Sequence, residues 1–90
     1  MATFQATKDP NAVIDFKINW SDWLNGDTIS TSTWTVESGI TQDSESETTT
    51  TTTVWLSGGT AGLTYTVTNR IVTAAGRTDD RSIAVKVVDR

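Results

Sequence analysis

The side chains able to do chemistry in this 90-residue chain are carboxylates, hydroxyls and tryptophans; there is no histidine and no cysteine. The commonest metal ligand and proton shuttle is therefore missing, as are thiolate metal sites and disulfides. Two acid pairs come near a general acid–base spacing, Asp79 with Asp80 and Asp22 with Asp27. Adjacent residues on a strand point to opposite faces, and aspartates beside glycine usually form turns, so neither pair reads as catalytic. A nucleophilic triad would lack its base. "DWLNGD", residues 22–27, falls short of the alternating oxygen ligands of a calcium loop. "NWS", residues 19–21, matches the glycosylation sequon but no secretion signal is visible ahead of it. No glycine-rich loop feeds a helix. The residues point away from an enzyme, a metal and a cofactor.

The distinctive chemistry that remains is aromatic: Trp20, Trp23, Trp34 and Trp55. An exposed tryptophan can stack on a sugar or anchor a protein interface, whereas a buried one plugs a core. Which does which depends on the elements that carry them. In "AVIDFKINW", Ile14, Phe16, Ile18 and Trp20 share one parity and Asp15, Lys17 and Asn19 the other, the period of a half-buried strand. "TISTSTWTV" is rich in β-branched residues and sets Trp34 and Val36 on one face of the next strand. Between them Ser21 is placed to cap one helical turn, "SDWL", and Asn25-Gly26 tolerates positive φ. Trp20 then closes the core, and Trp23 is expected as a lid over its end, with a stacking platform as the alternative.

The run "ETTTTTTVWLSGG" resembles low complexity, but it lacks the proline of a glycosylated stalk and flows into Val54, Trp55 and Leu56. As a strand it points Val54 and Leu56 inward and leaves Trp55 outward. Tyr65, Val67 and Ile71 share a face on which Asn69 is the polar exception, and Ile83, Val85 and Val87 line up likewise. "AAGRTDD" between them reads as a long hairpin turn, and "QDSESE" as a solvated acidic loop. No segment sustains a 3.6-residue period.

The chain is thus expected to be a single all-β domain over residues 1–90, a sandwich of about seven strands. Three placements predict an immunoglobulin-like one. Trp34 sits on the third strand; Tyr65 follows "GGTAGL" as a tyrosine corner, its hydroxyl tied to upstream backbone; and Val67, with Ile18 or Trp20, fills the places of the two disulfide cysteines. The predicted core is Phe16, Ile18, Trp20, Trp34, Leu56, Tyr65 and Val67.

Net charge is −4, which argues against nucleic acid held by its phosphates, and no apolar run is long enough to span a membrane. Acids run without a base from Asp22 to Glu47, whereas Arg70, Arg77, Arg81, Lys86 and Arg90 crowd the last third. These are solvated faces, or complementary patches for assembly. Trp55, Arg70, Arg77 and Arg81 are the candidate interface residues, with the alternative that Arg77 and Arg81 merely pair with Asp79 and Asp80 inside the turn.

At "KDPNAVIDFKINWSDWL", "DTISTSTWTV" and "VWLSGGTAGLTYTVTNRIVTAAGRTDDRSIAVKV" the chain resembles the small phage proteins described as fiber-tail adaptors. The resemblance covers nearly the whole chain. It implies an immunoglobulin-like, non-catalytic virion component of a tailed bacteriophage, made in the host cytoplasm and placed at the neck or tail in several copies or a ring. Such a protein presents one face to a connector or tail protein and another to a fiber. A capsid decoration domain, and a carbohydrate-binding module using Trp23 or Trp55 on host glycan, are the alternative readings.

Overall fold

A computed structural model describes residues 2–89, and the side chains of residues 4–89. Among them the chain forms seven strands and one helical turn: β1 (Ala2–Lys8), β2 (Ile14–Asn19), α1 (Ser21–Leu24), β3 (Ile29–Val36), β4 (Ile40–Glu47), β5 (Thr51–Gly58), β6 (Thr64–Thr73) and β7 (Thr78–Val87). They build two sheets, β1-β7-β6-β3 and β2-β5-β4; β1 runs parallel to β7, and every other pairing is antiparallel. An immunoglobulin constant-type sandwich groups its first, second, fifth and fourth strands in one sheet and its third, sixth and seventh in the other. Here β2, β5 and β4 fall together and β3, β6 and β7 fall together, while β1 joins the second group.

Strict alternation produces this. On β6, Tyr65, Val67, Asn69, Ile71 and Thr73 are buried while Thr64, Thr66 and Arg70 face out; on β5, Thr52, Val54 and Leu56 are buried while Trp55 faces out. A one-residue slip would invert either set, so register is strongly fixed. The inner faces meet in a core that contains Ile18, Trp20, Leu24, Trp34, Val54, Leu56, Tyr65, Val67, Ile71, Ile83, Val85 and Val87. Phe16 departs from its predicted core place: β2 is an edge strand, so Phe16 is only half-buried against the core and Ile14, on the same parity, is exposed. Trp34 is in the core although its Nε1 finds no hydrogen-bond partner.

The tyrosine corner is formed: Tyr65 Oη accepts a hydrogen bond from the Thr60 backbone N–H at 2.9 Å. Two glycines make room for it. A Cβ at Gly39 would sit 2.8 Å from Tyr65 Cε1, one at Gly59 would sit 2.7 Å from Val87 Cγ2, and both residues have positive φ.

Three local expectations are corrected. "QDSESE" is not a loop but most of β4, an edge strand whose register shifts between Gln42 and Ser44. The turn in "AAGRTDD" is short, because Thr78, Asp79 and Asp80 already pair with Val72, Ile71 and Arg70. Ser21 does not cap α1: it is the first helical residue, Trp20 holds the cap position without a side-chain bond, and the Ser21 N–H goes to Asn19 Oδ1. The left-handed stop at Asn25 (φ 48°) and Gly26 (φ 93°) is as expected.

The inner face also holds a buried polar cluster. Asn69 Oδ1 accepts from Trp20 Nε1 (3.1 Å) and Thr52 Oγ1 (2.7 Å), while Asn69 Nδ2 donates to Ser32 Oγ (2.9 Å) and the Thr33 carbonyl (3.1 Å). All four valences of the amide are filled. Thr33 is on β3, Thr52 on β5 and Trp20 directly follows β2, so one side chain ties the two sheets together. Lys8 makes a second tie: its buried Nζ donates to the carbonyls of Asp9 and Gly58.

Candidate protein interface

The four candidate interface residues lie at three places. Arg70 projects from the outer face of the four-stranded sheet beside Thr33, Thr35 and Thr68, and binds Asp80 through two hydrogen bonds, Nε to Oδ1 at 2.7 Å and Nη2 to Oδ2 at 3.1 Å. The guanidinium holds the Asp80 carboxyl below its usual range, and the carboxylate raises Arg70 in turn. Arg70 is well exposed and Asp80 partly so, a geometry of small net worth in water that leaves the guanidinium accessible to a partner.

Arg77 and Arg81 make contacts within the molecule, and with neither of the aspartates proposed for them. Arg77 caps the C-terminal end of α1, donating to the Leu24 carbonyl (2.7 Å), the Trp23 carbonyl (3.4 Å) and Asp27 Oδ2 (3.2 Å) with its guanidinium 4.3 Å from the Trp23 ring centroid. Arg81 donates to the Asn19 carbonyl (3.1 Å) and lies 4.2 Å over the Trp20 ring. Trp20 and Trp23 meet edge to face at 5.6 Å. The stretch 19–27 is thus a strand end and lid clamped by two arginines of the β6–β7 hairpin, with Trp23 half-buried as the lid. One face of each ring carries an arginine.

Asp27 joins this clamp to pH. Its carboxyl is held below its usual value, chiefly by a hydrogen bond from the Thr73 side chain, with further bonds from Thr28, Arg77 and Ala75. Because folding lowers this pKa, the contribution to stability is complete above about 3.8 and is lost as pH falls through the lower folded value. Asp27→Asn is expected to be less stable than the parent at pH 6, with the gap closing below pH 3.8. Urea unfolding across that range reads it directly, and a gap constant with pH would refute the linkage.

Trp55 is alone of the four tryptophans in standing on an outer face, with 39% of its surface exposed. It is carried by β5, the central strand of the three-stranded sheet, and so has a neighbour on both sides: Asp15 on β2 and Ser44 on β4. One step along each way on its own strand are Thr53, opposite Lys17, and Ser57, whose Oγ donates to Asp43 Oδ1 at 2.9 Å. The bulge between Gln42 and Ser44 brings Asp43 to this outer face. Trp55 therefore stands between two carboxylates, Asp15 and Asp43, in a patch of short hydroxyl side chains. Asp15 was legible by parity; Asp43 was hidden by reading its strand as a loop. No group of three or more metal-binding side chains occurs among the described residues.

The Trp55 and Arg70 surfaces are on the outer faces of different sheets, back to back across the core. The arrangement gives a slab with two exposed faces.

None of the curated proteins matches the chain. Among solved structures, a 2,6-sialyltransferase from Vibrionaceae Photobacterium sp. JT-ISH-224, in complex with CMP and lactose, is similar with a TM-score of 0.68 and 13% identity. The match covers 97% of this chain but only 17% of that one, and at such identity the likeness is one of fold. The comparison with protein families is more specific. Podophage GP4 fiber-tail adaptor protein gp77 matches residues 8–86, from the lysine that ends β1 to the last turn of β7's alternation, and the chain belongs to that family.

Proposed function

We propose that the protein is a non-catalytic, immunoglobulin-like adaptor of the phage particle, several copies of which join the tail or connector to fibers through the two outer faces of the sandwich. Family membership supports the setting, and the geometry supplies the means. The observation that carries the docking role is Trp55: three tryptophans are committed to the core or its lid, while the fourth is held outward on a central strand by the inward demand of Val54 and Leu56. Burying such a ring against a partner contributes on the order of 2–4 kcal/mol at an interface. The Arg70–Asp80 pair on the opposite face is the second contact, and Arg77 and Arg81 serve it indirectly by holding the hairpin and lid in place.

Trp55→Ala removes an exposed ring and no core atom, so the free domain should keep the parent's melting temperature. Particles carrying it should lose the adaptor, or the fibers it holds, in a protein-composition assay of purified virions. Normal particles would show that this face is idle. A variant domain that unfolds would show that Trp55 belongs to the core.

A further inference from the structure

Trp20 and Trp23 show what this chain does with an indole face at the end of its core: each takes an arginine, at 4.2 and 4.3 Å, and that arginine also donates to nearby oxygen atoms. Trp55 has the same requirements without the arginine. No cation stacks on it among the described residues, yet its flanking positions supply two carboxylates, Asp15 as its cross-strand neighbour and Asp43 beside Ser57. Lys17 lies one register step away opposite Thr53, and the Lys8 ammonium interacts with Asp43, while Glu45 and Glu47 of β4 lie opposite inward Val54 and Thr52, on the other parity. Two carboxylates, Asp15 and Asp43, therefore flank an exposed aromatic face.

We propose that Trp55, Asp15 and Asp43 form a receptor for an arginine side chain of a different protein of the particle, the guanidinium stacking on the indole and donating to the carboxylates. This rests on the docking role given to Trp55 above. Arginine fits better than lysine because its planar group can stack and donate in its own plane at once, and it sheds its hydration more readily. A neutral sugar can stack and donate its hydroxyls to the same carboxylates, but it leaves their charges uncompensated. Within the described residues the arginines of a second copy are otherwise engaged, Arg70 in the contact assigned to the opposite face. Arg70 is bound to Asp80, Arg77 to Asp27 and α1, and Arg81 to Asn19 under a stacked ring.

The test uses the full chain labelled with nitrogen-15 and N-acetyl-arginine amide as probe. Saturable shifts are expected at the Trp55 indole N–H and at the amides of Ser44 and Ser57, weaker with N-acetyl-lysine amide. In a D15N/D43N variant the arginine affinity should fall about fivefold, as two exposed charge-assisted contacts are lost. Shifts that are absent, spread over the surface or unchanged in D15N/D43N would overturn the receptor, as would larger shifts on the same resonances with lactose. Virions separate this proposal from the one it rests on. If W55A is lost from particles while D15N/D43N is incorporated like the parent, docking stands and the arginine receptor falls; loss of both supports it.

Discussion

Asn69→Asp is expected to leave the domain unfolded or barely folded at neutral pH and to let it recover on mild acidification. The site is fully buried, and the native amide uses both of its donors on Ser32 Oγ and the Thr33 carbonyl. A carboxylate can still accept from Trp20 and Thr52, but it faces those two oxygens with a negative oxygen of its own and carries a charge into the core. Each lost partner costs about 1–3 kcal/mol and the unpaired charge more, against a total stability for a chain of this length of roughly 5–13 kcal/mol. Burial raises the folded-state pKa of such a carboxyl. The fold is therefore favoured below the ordinary carboxylate pKa, and stability is lost as pH rises through the higher folded value. Circular dichroism and urea melts at pH 7 and pH 5, both above the range in which Asp27 titrates, should show folding gained at pH 5. A variant with the parent's stability at pH 7 would mean that the cluster is not the tie between sheets described above.

Trp20→Ala should be the most damaging of the four tryptophan substitutions. The side chain is wholly buried; its Nε1 lies 3.1 Å from Asn69 Oδ1 and 3.2 Å from Thr52 Oγ1, and its ring carries Arg81 on one side and meets Trp23 on another. Truncation leaves a cavity costing about 3–5 kcal/mol, and it further strips a donor from Asn69 and frees the arginine that holds the end of β2. Thermal melts should show a drop of tens of degrees, taking about 4–8 °C for each kcal/mol in a domain of this size. Trp55→Ala beside it, with an unchanged melt, is the internal control. Should the two variants melt alike, the division between core and contact tryptophans is wrong.

Parity decided most of what the sequence made visible. It placed Trp55 outward, Val54 and Leu56 inward, and Tyr65 and Val67 in the core, because residues on central strands have one dry face and one wet one. The same rule failed at the edges. β4 has solvent on both faces, so "QDSESE" carries no alternation to read, and Phe16 and Ile14 on edge strand β2 obey the parity without being fully buried. Asn69 was visible only as an exception, since its partners come from β3, β5 and the residue after β2, and no local pattern announces them. Arg77 and Arg81 escaped for a similar reason. Asp79 and Asp80 were the nearest acids in sequence, but a strand fixes where they point, and the oxygens actually used lie in the stretch 19–27, brought close only by the finished fold.

The parallel pairing of β1 with β7 has a kinetic consequence. Ala2 has no strand partner except Arg81, and Lys8 none except Val87. During synthesis β1 must therefore wait, unpaired, until β7 has left the ribosome. The four-stranded sheet is thus completed last, after the β4–β5, β2–β5 and β3–β6 pairings have become possible. Non-local closure of this kind places refolding in the millisecond-to-second range typical of β-sandwiches. An interrupted translation product ending before Thr78 would hold neither β1 nor the full inner face of β6 in place, and would be a substrate for proteases rather than a smaller adaptor.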